Sequence, residues 1–252
     1  MLARCLGLTR TRLLAHPERS LRADERRDFE RLLKRRLARE PLAYLLGERE
    51  FLSLDFAVSP AALIPRPETE LLAEFAIAEA RRRKAGLGLD LGAGCGALAV
   101  ALAVNLPSVR IIATDLAPEA LALACRNARR HRVDSRLRFL CCDLLTGLRG
   151  RFDFIVANLP YVASDDLNNL PPEISRYEPR LALNGGADGL VVLRRLLPHL
   201  NDHLAPGGFA ALEVGQGQAE AVTRIAASCG LRPLPVLNDG AGIPRVVAME
   251  SG

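Results

Sequence analysis

The chain has 252 residues, enough for one large domain with a small appendage, and its 49% hydrophobic and 25% charged content is that of an ordinary globular protein. No run of about 18 apolar residues occurs, which excludes a membrane-spanning helix. The net charge of +5 resides in residues 1–50, where 13 Lys and Arg face 8 Asp and Glu, and the rest of the chain balances at 21 of each. Such a basic excess suits either a solvated helix face or a surface that docks acidic protein or RNA. The opening stretch MLARCLGLTRTRLLAHPERS interrupts its leucines with arginines and shows no small-residue cleavage site, so it reads as mature sequence rather than a transit peptide. Six cysteines (Cys5, Cys95, Cys125, Cys141, Cys142, Cys229) fall at irregular spacings without a C-x-x-C pair. That argues against a disulfide framework and a zinc site, and a reduced cytoplasm is the expected compartment.

Residues 1–50 read as helical. Ser20 is the expected cap of a helix in which Phe29, Leu32, Leu33 and Leu37 keep a helical period, and Pro41 is expected to end it. Phe51, Leu52, Leu54, Phe56 and Val58 suit a hairpin or extended linker, which Pro60, Pro65 and Pro67 then stiffen. Pro67 is placed to open the helix ETELLAEFAIAEARRRK, whose basic end, Arg81–Lys84, suits the helix dipole. From residue 87 strands and helices alternate: LGLDLG, then ALAVALAVNL; VRIIATD, then PEALALACRNARRH with Ala120, Leu121, Ala124, Cys125 and Ala128 on one face. RLRFLCCD, FDFIVANLP and GGFAALEVG are further strands; a helix to about Ser228 follows, and LRPLPVL and PRVVAME close the chain. This alternation predicts a doubly wound α/β fold, a mostly parallel sheet covered on both faces by helices.

The segment Asp90-Leu91-Gly92-Ala93-Gly94-Cys95-Gly96 leaves a strand and opens a helix, where glycines let the backbone turn sharply and approach a ligand. Gly92, Gly94 and Ala97 also satisfy the dinucleotide fingerprint, so the motif alone leaves a dinucleotide, S-adenosylmethionine (SAM) or a ligand-free turn open. The acids around it favour SAM. Asp90, just before the glycines, suits the cationic methionine end and would repel a pyrophosphate. Asp115 ends the second strand, where it can accept two ribose hydroxyls, and Asp143 follows the third, where it can receive an adenine amine. Any one of the three acids could instead serve as a helix cap, Asp143 above all.

The fourth strand runs into Asn158-Leu159-Pro160-Tyr161. A planar amide or exocyclic amine is a poor nucleophile because its lone pair is delocalised. The Asn158 side-chain oxygen and the Leu159 carbonyl can take its two N–H bonds, aim the lone pair and stabilise developing positive charge. Pro160 stiffens the turn and Tyr161 offers an apolar wall; a plain strand-ending turn is the other reading.

With REPLAYLLGEREF, LIPRPETE, DLGAGCGALAVALA, YEPRLALNGGADGL, GGFAALEVG and GIPRVVAME around that tetrad, the chain resembles the release factor glutamine methyltransferases (the HemK/PrmC family) over nearly its whole length. The resemblance implies a Rossmann-like SAM-dependent methyltransferase sheet of seven strands, mostly parallel, with a small N-terminal helical domain. The implied division is residues 1–50 for substrate docking, 51–66 as a hairpin linker and 67–252 for SAM-dependent methyl transfer. The implied acceptor is the glutamine side-chain amide in the Gly-Gly-Gln loop of a peptide chain release factor, with no membrane and no nucleic acid required. Carried over by motif, SAM contacts are expected from Asp90, Gly92, Ala93, Gly94 and Gly96. Further contacts are expected from Asp115, Leu116, Asp143, Leu144 and Asn158, and from Arg66, Pro67 and Thr69 of the PRPET segment. Asn158 and the Leu159 backbone are expected to hold the glutamine amide, with Pro160 and Tyr161 shaping the pocket.

The chain departs from the family pattern at Leu159, where the family has proline, and in a helical region that reads as short. Asn-Leu-Pro-Tyr as spelled is also typical of ribosomal RNA adenine dimethyltransferases, but those carry the glycine loop near the N-terminus and lack a PRPETE segment. A glutamine methyltransferase acting on a ribosomal protein has similar motifs. A non-catalytic RNA-binding module leaves the tetrad and acids unexplained, and a nicotinamide oxidoreductase lacks a hydride-transfer site. The expected reaction is direct in-line transfer without metal or covalent intermediate, with no general base evident. Glu213 is expected either near the sheet's end or in a solvated or capping role, and Cys141 and Cys142 are expected to be packing or surface residues.

Overall fold

The computed structural model describes residues 1–252. Four helices open the chain: α1 (Leu2–Leu6), α2 (Arg10–Ala15), α3 (Ala23–Leu37) and α4 (Leu42–Leu46). Ser20 does not cap α3. Arg22 occupies the cap position, and Glu25 reaches back to accept the Arg22 N–H at 2.9 Å, the acidic half of a capping box. Glu25 is buried because Arg19 also closes on it at 2.7 Å. Pro41 caps α4 rather than ending α3, which has already stopped at Leu37. Few apolar side chains are buried here; Leu14 and Leu37 stand largely exposed.

A two-stranded antiparallel hairpin follows, β1 (Glu48–Phe51) and β2 (Leu54–Ala57), closed by Leu52 and Ser53 with φ of +48° and +59°. Positive φ at both turn positions matches the twist of a tight hairpin. Phe51 and Phe56 pack edge to face beneath it. Its far end is tied down by α7 (Pro118–Arg130), whose buried Asn127 accepts the Ala57 N–H at 2.8 Å and donates to the Ala57 and Cys95 carbonyls at 3.0 and 2.8 Å. One amide therefore links the hairpin to the glycine loop.

The main body alternates as expected: α5 (Glu68–Arg83), β3 (Leu87–Leu91), α6 (Ala97–Asn105), β4 (Arg110–Asp115), α7, β5 (Leu137–Cys141) and β6 (Phe152–Ala157). After β6 come a short helix α8 (Pro172–Ser175), then α9 (Val191–His203), β7 (Leu204–Glu213), α10 (Ala219–Ser228) and the closing strand β10 (Pro244–Glu250). LRPLPVL is not one strand; its prolines leave two fragments, β8 (Arg232–Pro233) and β9 (Leu237–Asn238). The strand order is β5-β4-β3-β6-β7-β10-β8, with β9 beside β10; β3 to β7 run parallel and β10 antiparallel to β7.

Both faces of the sheet are covered, so successive residues of one strand enter different cores. Phe154 and Val156 join α5, α6 and α7 on one face, while Ile155 and Ala157 join α9 and α10 on the other. In α6 every residue from Ala97 to Ala103 is buried, and its small side chains let the helix lie close against the sheet. The helix α9 carries no clear sequence signal because Pro198 sits inside it.

Candidate active site

Strand order reverses between β3 and β6, since the chain goes from β3 outward to β4 and β5 and then returns to β6 on the other side. Loops leaving the carboxyl ends of two such strands diverge and open a crevice. Here the loops are the glycine segment after β3 and the Asn-Leu-Pro-Tyr tetrad after β6, and they border a cleft of about 250 Å³. Gly92, Gly94 and Gly96 adopt φ of +74°, +56° and +81°, conformations that side-chain-bearing residues resist. Gly96 also lies against Ala124 of α7, so it supports the loop from behind and is absent from the cleft lining.

The acids take distinct places. Asp90 is fully buried at the end of β3, and its Oδ2 accepts the Ala99 N–H in the first turn of α6 at 3.0 Å. Burial pushes its carboxyl up to about 7; the Ala99 N–H opposes this and the Asp115 charge adds to it. A buried carboxyl with no cation beside it favours a positive group entering the cleft. Asp115 lines the cleft beside Leu116, with Oδ2 on the Gly94 N–H and Oδ1 on the Ala117 N–H. Asp143 also faces the cleft with Leu144, and its carboxylate pairs with Arg195 of α9. No helix starts after Asp143, so it is not a cap. Cationic, hydroxylated and amine-bearing portions of one ligand can meet this series of acids along the strand ends, and SAM carries that set of groups.

The tetrad is held by contacts from distant parts of the chain. Asn158 donates its side-chain N–H to the Thr69 hydroxyl at 2.9 Å, which leaves its Oδ1 free to accept. The Leu159 carbonyl accepts no main-chain hydrogen bond. Two acceptors thus stand together where the tetrad meets the cleft. The Leu159 side chain is buried next to Gly92, so this loop is anchored by packing where the family pattern has a proline ring. Pro160 lines the cleft, whereas Tyr161 turns behind it, with its hydroxyl 3.5 Å from Glu213. Gln218 donates to the Tyr161 carbonyl at 2.9 Å.

Glu213 is neither solvated nor a cap. It is buried at the end of β7, and its Oε2 has no hydrogen-bond partner. The PRPET segment is likewise fixed from afar: Glu178 accepts from Arg66 at 2.6 Å and from the Ile64 N–H at 3.1 Å. Arg66 and Thr69 line the cleft; Pro67 does not, and its φ of −59° sets the start of α5. Sequence reasoning missed Glu178, Gln218 and the role of Thr69, because each acts on a residue remote in sequence. Glu178 lies in the YEPR motif and Thr69 in LIPRPETE, which were the signals on which these two could have been found; Gln218 lies in no such motif.

A doubly wound sheet with a glycine loop at its switch point and acids along successive strand ends defines a SAM-dependent methyltransferase. Residues 68–209 match the family model described as methyltransferase small domain, and residues 1–47 match the one described as PrmC N-terminal domain. The chain is 42% identical over 253 residues to the release factor glutamine methyltransferase of Geobacter sulfurreducens, covering 100% of this chain and 88% of that protein. With the protein of the same name from Moorella thermoacetica it shares 44% identity over 241 residues, covering 95% and 85%. The solved structure of a methyltransferase from Pyrococcus furiosus shares the fold, with a TM-score of 0.58 at 21% identity over 87% of this chain and 98% of that one. The chain belongs to the release factor glutamine methyltransferase family, and its methyl donor is SAM.

Proposed function

We propose that this protein methylates the side-chain amide nitrogen of the glutamine in the Gly-Gly-Gln motif of peptide chain release factors, in the cytoplasm. The observation that carries the reading is the pair of free acceptors, Asn158 Oδ1 and the Leu159 carbonyl, at the mouth of the tetrad. A primary amide presents two N–H bonds in one plane. Engaging both holds the nitrogen still and raises electron density on it, and the same acceptors stabilise the charge that develops as it reacts. SAM supplies a methyl group on a sulfonium centre, the electrophile that a weak amide nucleophile needs. Asp90, Asp115 and Asp143 orient that donor from the strand ends. After transfer the nitrogen carries one proton too many, and it leaves to water from the acceptor side. Tyr161 is not its base, since burial pushes the phenol up to about 12 and Glu213 adds to the shift.

Residues 1–50 dock the release factor in this reading, 51–66 form the linker and 67–252 carry the chemistry. The coupling between them is visible as contacts: Arg36 and Arg39 reach Glu173 at 2.8 and 2.9 Å, and Tyr177 donates to the Ala38 carbonyl at 2.7 Å. The helical region therefore holds the segment that follows the tetrad. The test is a transfer assay with labelled SAM on an intact release factor and on the same factor with its Gly-Gly-Gln glutamine changed to asparagine. Label on the first and none on the second is expected; equal label on both would overturn the acceptor assignment.

A further inference from the structure

The acceptors of the tetrad serve a substrate only if the loop holds them still, and the Leu159 carbonyl has no main-chain bond of its own. The bonds that fix the loop begin just beyond it. Val162 donates its N–H to the Leu183 carbonyl at 3.0 Å and accepts the Gly185 N–H at 2.8 Å. Between that clamp and Leu159 lies the Tyr161 carbonyl, which accepts from a side chain, the amide of Gln218, at 2.9 Å. Gln218 stands at the entry to α10, and its Oε1 accepts the Gly215 N–H from the end of β7 at 2.9 Å. The sense of this amide is fixed, because an N–H can only donate and a carbonyl can only accept. Two glycines make room for it. A β-carbon at Gly215 would sit 2.9 Å from Gln218 Oε1 and 3.1 Å from the Tyr161 ring, and one at Gly189 would sit 2.5 Å from Gln218 Nε2. These are the last glycines of GGFAALEVG and of LNGGADGL.

We propose that Gln218 is a positioning residue for methyl transfer: by holding the Tyr161 carbonyl it sets the direction of the Leu159 carbonyl that receives the acceptor amide. This rests on the proposed reading of the tetrad as the glutamine site. The path from one carbonyl to the other is short. Pro160 lies between them, and its ring removes one soft dihedral. The Tyr161 ring is wedged against Gly215, so a shift of the Tyr161 carbonyl passes to Leu159 and is not absorbed on the way. Gln218 is absent from the cleft lining and touches neither substrate nor cofactor.

Substitution can remove the donor and keep the bulk. In Gln218→Glu an ionised carboxylate still accepts the Gly215 N–H, but its second oxygen confronts the Tyr161 carbonyl, and two acceptors repel. Once protonated, the same carboxyl donates to Tyr161 and accepts from Gly215, which restores the wild-type pattern. A half-buried carboxyl beside a carbonyl oxygen titrates above the ordinary carboxylate range, so the defect is present at high pH and relieved as pH falls. Gln218→Met fills similar space and can make neither bond at any pH. The charged groups around Tyr161, namely Glu213, Arg245, Arg66 and Glu68, are common to wild type and variants, so each variant is read as a ratio to wild type at the same pH.

The test compares wild type with Gln218→Glu and Gln218→Met, each checked for folding by thermal melting and for SAM affinity by calorimetry. Single-turnover transfer to an intact release factor is measured at saturating SAM from about pH 8 down to about pH 5. The Tyr161 carbonyl is followed by magnetic resonance in protein whose tyrosines are isotope-labelled at the carbonyl carbon and whose valines are labelled at nitrogen. Of Tyr44, Tyr161 and Tyr177 only Tyr161 precedes a valine, so its signal is identified directly. Both variants are expected to transfer about ten- to a hundred-fold more slowly at the alkaline end, with SAM affinity changing far less. Lowering pH should return Gln218→Glu towards the wild-type rate, its Tyr161 carbonyl resonance moving in step, and leave Gln218→Met slow. Should Gln218→Met melt early, Gln218→Glu carries the test alone. A wild-type rate in either variant at the alkaline end, or a Gln218→Glu deficit that persists after its Tyr161 resonance has returned, would overturn the proposal. Wild type that methylates another acceptor and not the release factor, at a rate that still follows the Tyr161 resonance in Gln218→Glu, would sink the substrate reading and leave the role of Gln218 standing.

Discussion

Asp115 reaches back across the glycine loop and accepts the Gly94 N–H at 2.8 Å through Oδ2, while Oδ1 accepts the Ala117 N–H at 2.9 Å. One carboxylate thus fixes both the loop after β3 and the entry to α7. Each oxygen retains a further lone pair, which is where two ribose hydroxyls can bond. Asp115→Ala removes the brace and the ribose acceptors together. SAM affinity should fall about ten- to a hundred-fold, the effect of losing one charge-assisted hydrogen bond. Isothermal titration calorimetry checks this, and unchanged affinity would show that the loop holds itself.

Where the cationic end of SAM meets Asp90, SAM binding is expected to depend on pH. Its carboxyl is raised from 3.8 to about 7, first by burial and then by the Asp115 charge. A cationic ligand beside it restores ionisation, so binding releases a proton below pH 7 and affinity should weaken as pH falls through that value. Titrations in buffers of different ionisation enthalpy measure the proton released, and Asp90→Asn should release none. The protein without SAM has the opposite dependence. A raised acid contributes stability that is complete below the unfolded value of 3.8 and is lost as pH rises through about 7, so melting temperature should decline across that window.

Gly189 lies against the tetrad from behind. A β-carbon there would sit 2.2 Å from the Tyr161 carbonyl oxygen, and its φ is +75°. Gly189→Ala must push the tetrad towards the cleft or unseat Gln218, and the main-chain atom cannot yield cheaply. Methyl transfer should drop about a hundred-fold, as expected when reacting groups are misplaced by roughly 1 Å. SAM affinity should change little, because the cofactor loop is untouched. Equal loss of both would mean that the substitution unfolds the domain.

Glu173 is the point where α3 meets the segment after the tetrad, and Arg36 and Arg39 converge on it. Because the pair lies at the surface, Glu173→Ala should cost little stability. Its larger expected effect is a several-fold rise in KM for an intact release factor, with kcat for a short Gly-Gly-Gln peptide unchanged. A matching loss on the peptide would place Glu173 in the chemistry instead of in docking.

Much of this site was legible in the sequence because its parts are contiguous. Asp90 with the glycines, and Asn158 through Tyr161, each occupy one strand end, and strand alternation places those ends together. What the sequence concealed acts across distance. Thr69 and Asn158 are separated by 89 positions, and neither residue type signals a partner. Nothing local to Glu213, an acid at a strand's end, signals its burial. Ser20 had the right chemistry for a cap, but the Arg22–Glu25 pairing took the position, and Pro198 disguised α9. Arg66 and Thr69 line the cleft, and both side chains also brace other parts of the chain.

The measurement that bears most directly on the central claim is site-mapped mass spectrometry of a competition. Release factor, a ribosomal protein and ribosomal RNA are offered together with SAM to wild type and to Asn158→Ala. One methyl group on the Gly-Gly-Gln glutamine is expected, absent in the variant although it still binds SAM. Methylation of the ribosomal protein or the RNA, or glutamine methylation that survives Asn158→Ala, would contradict the account.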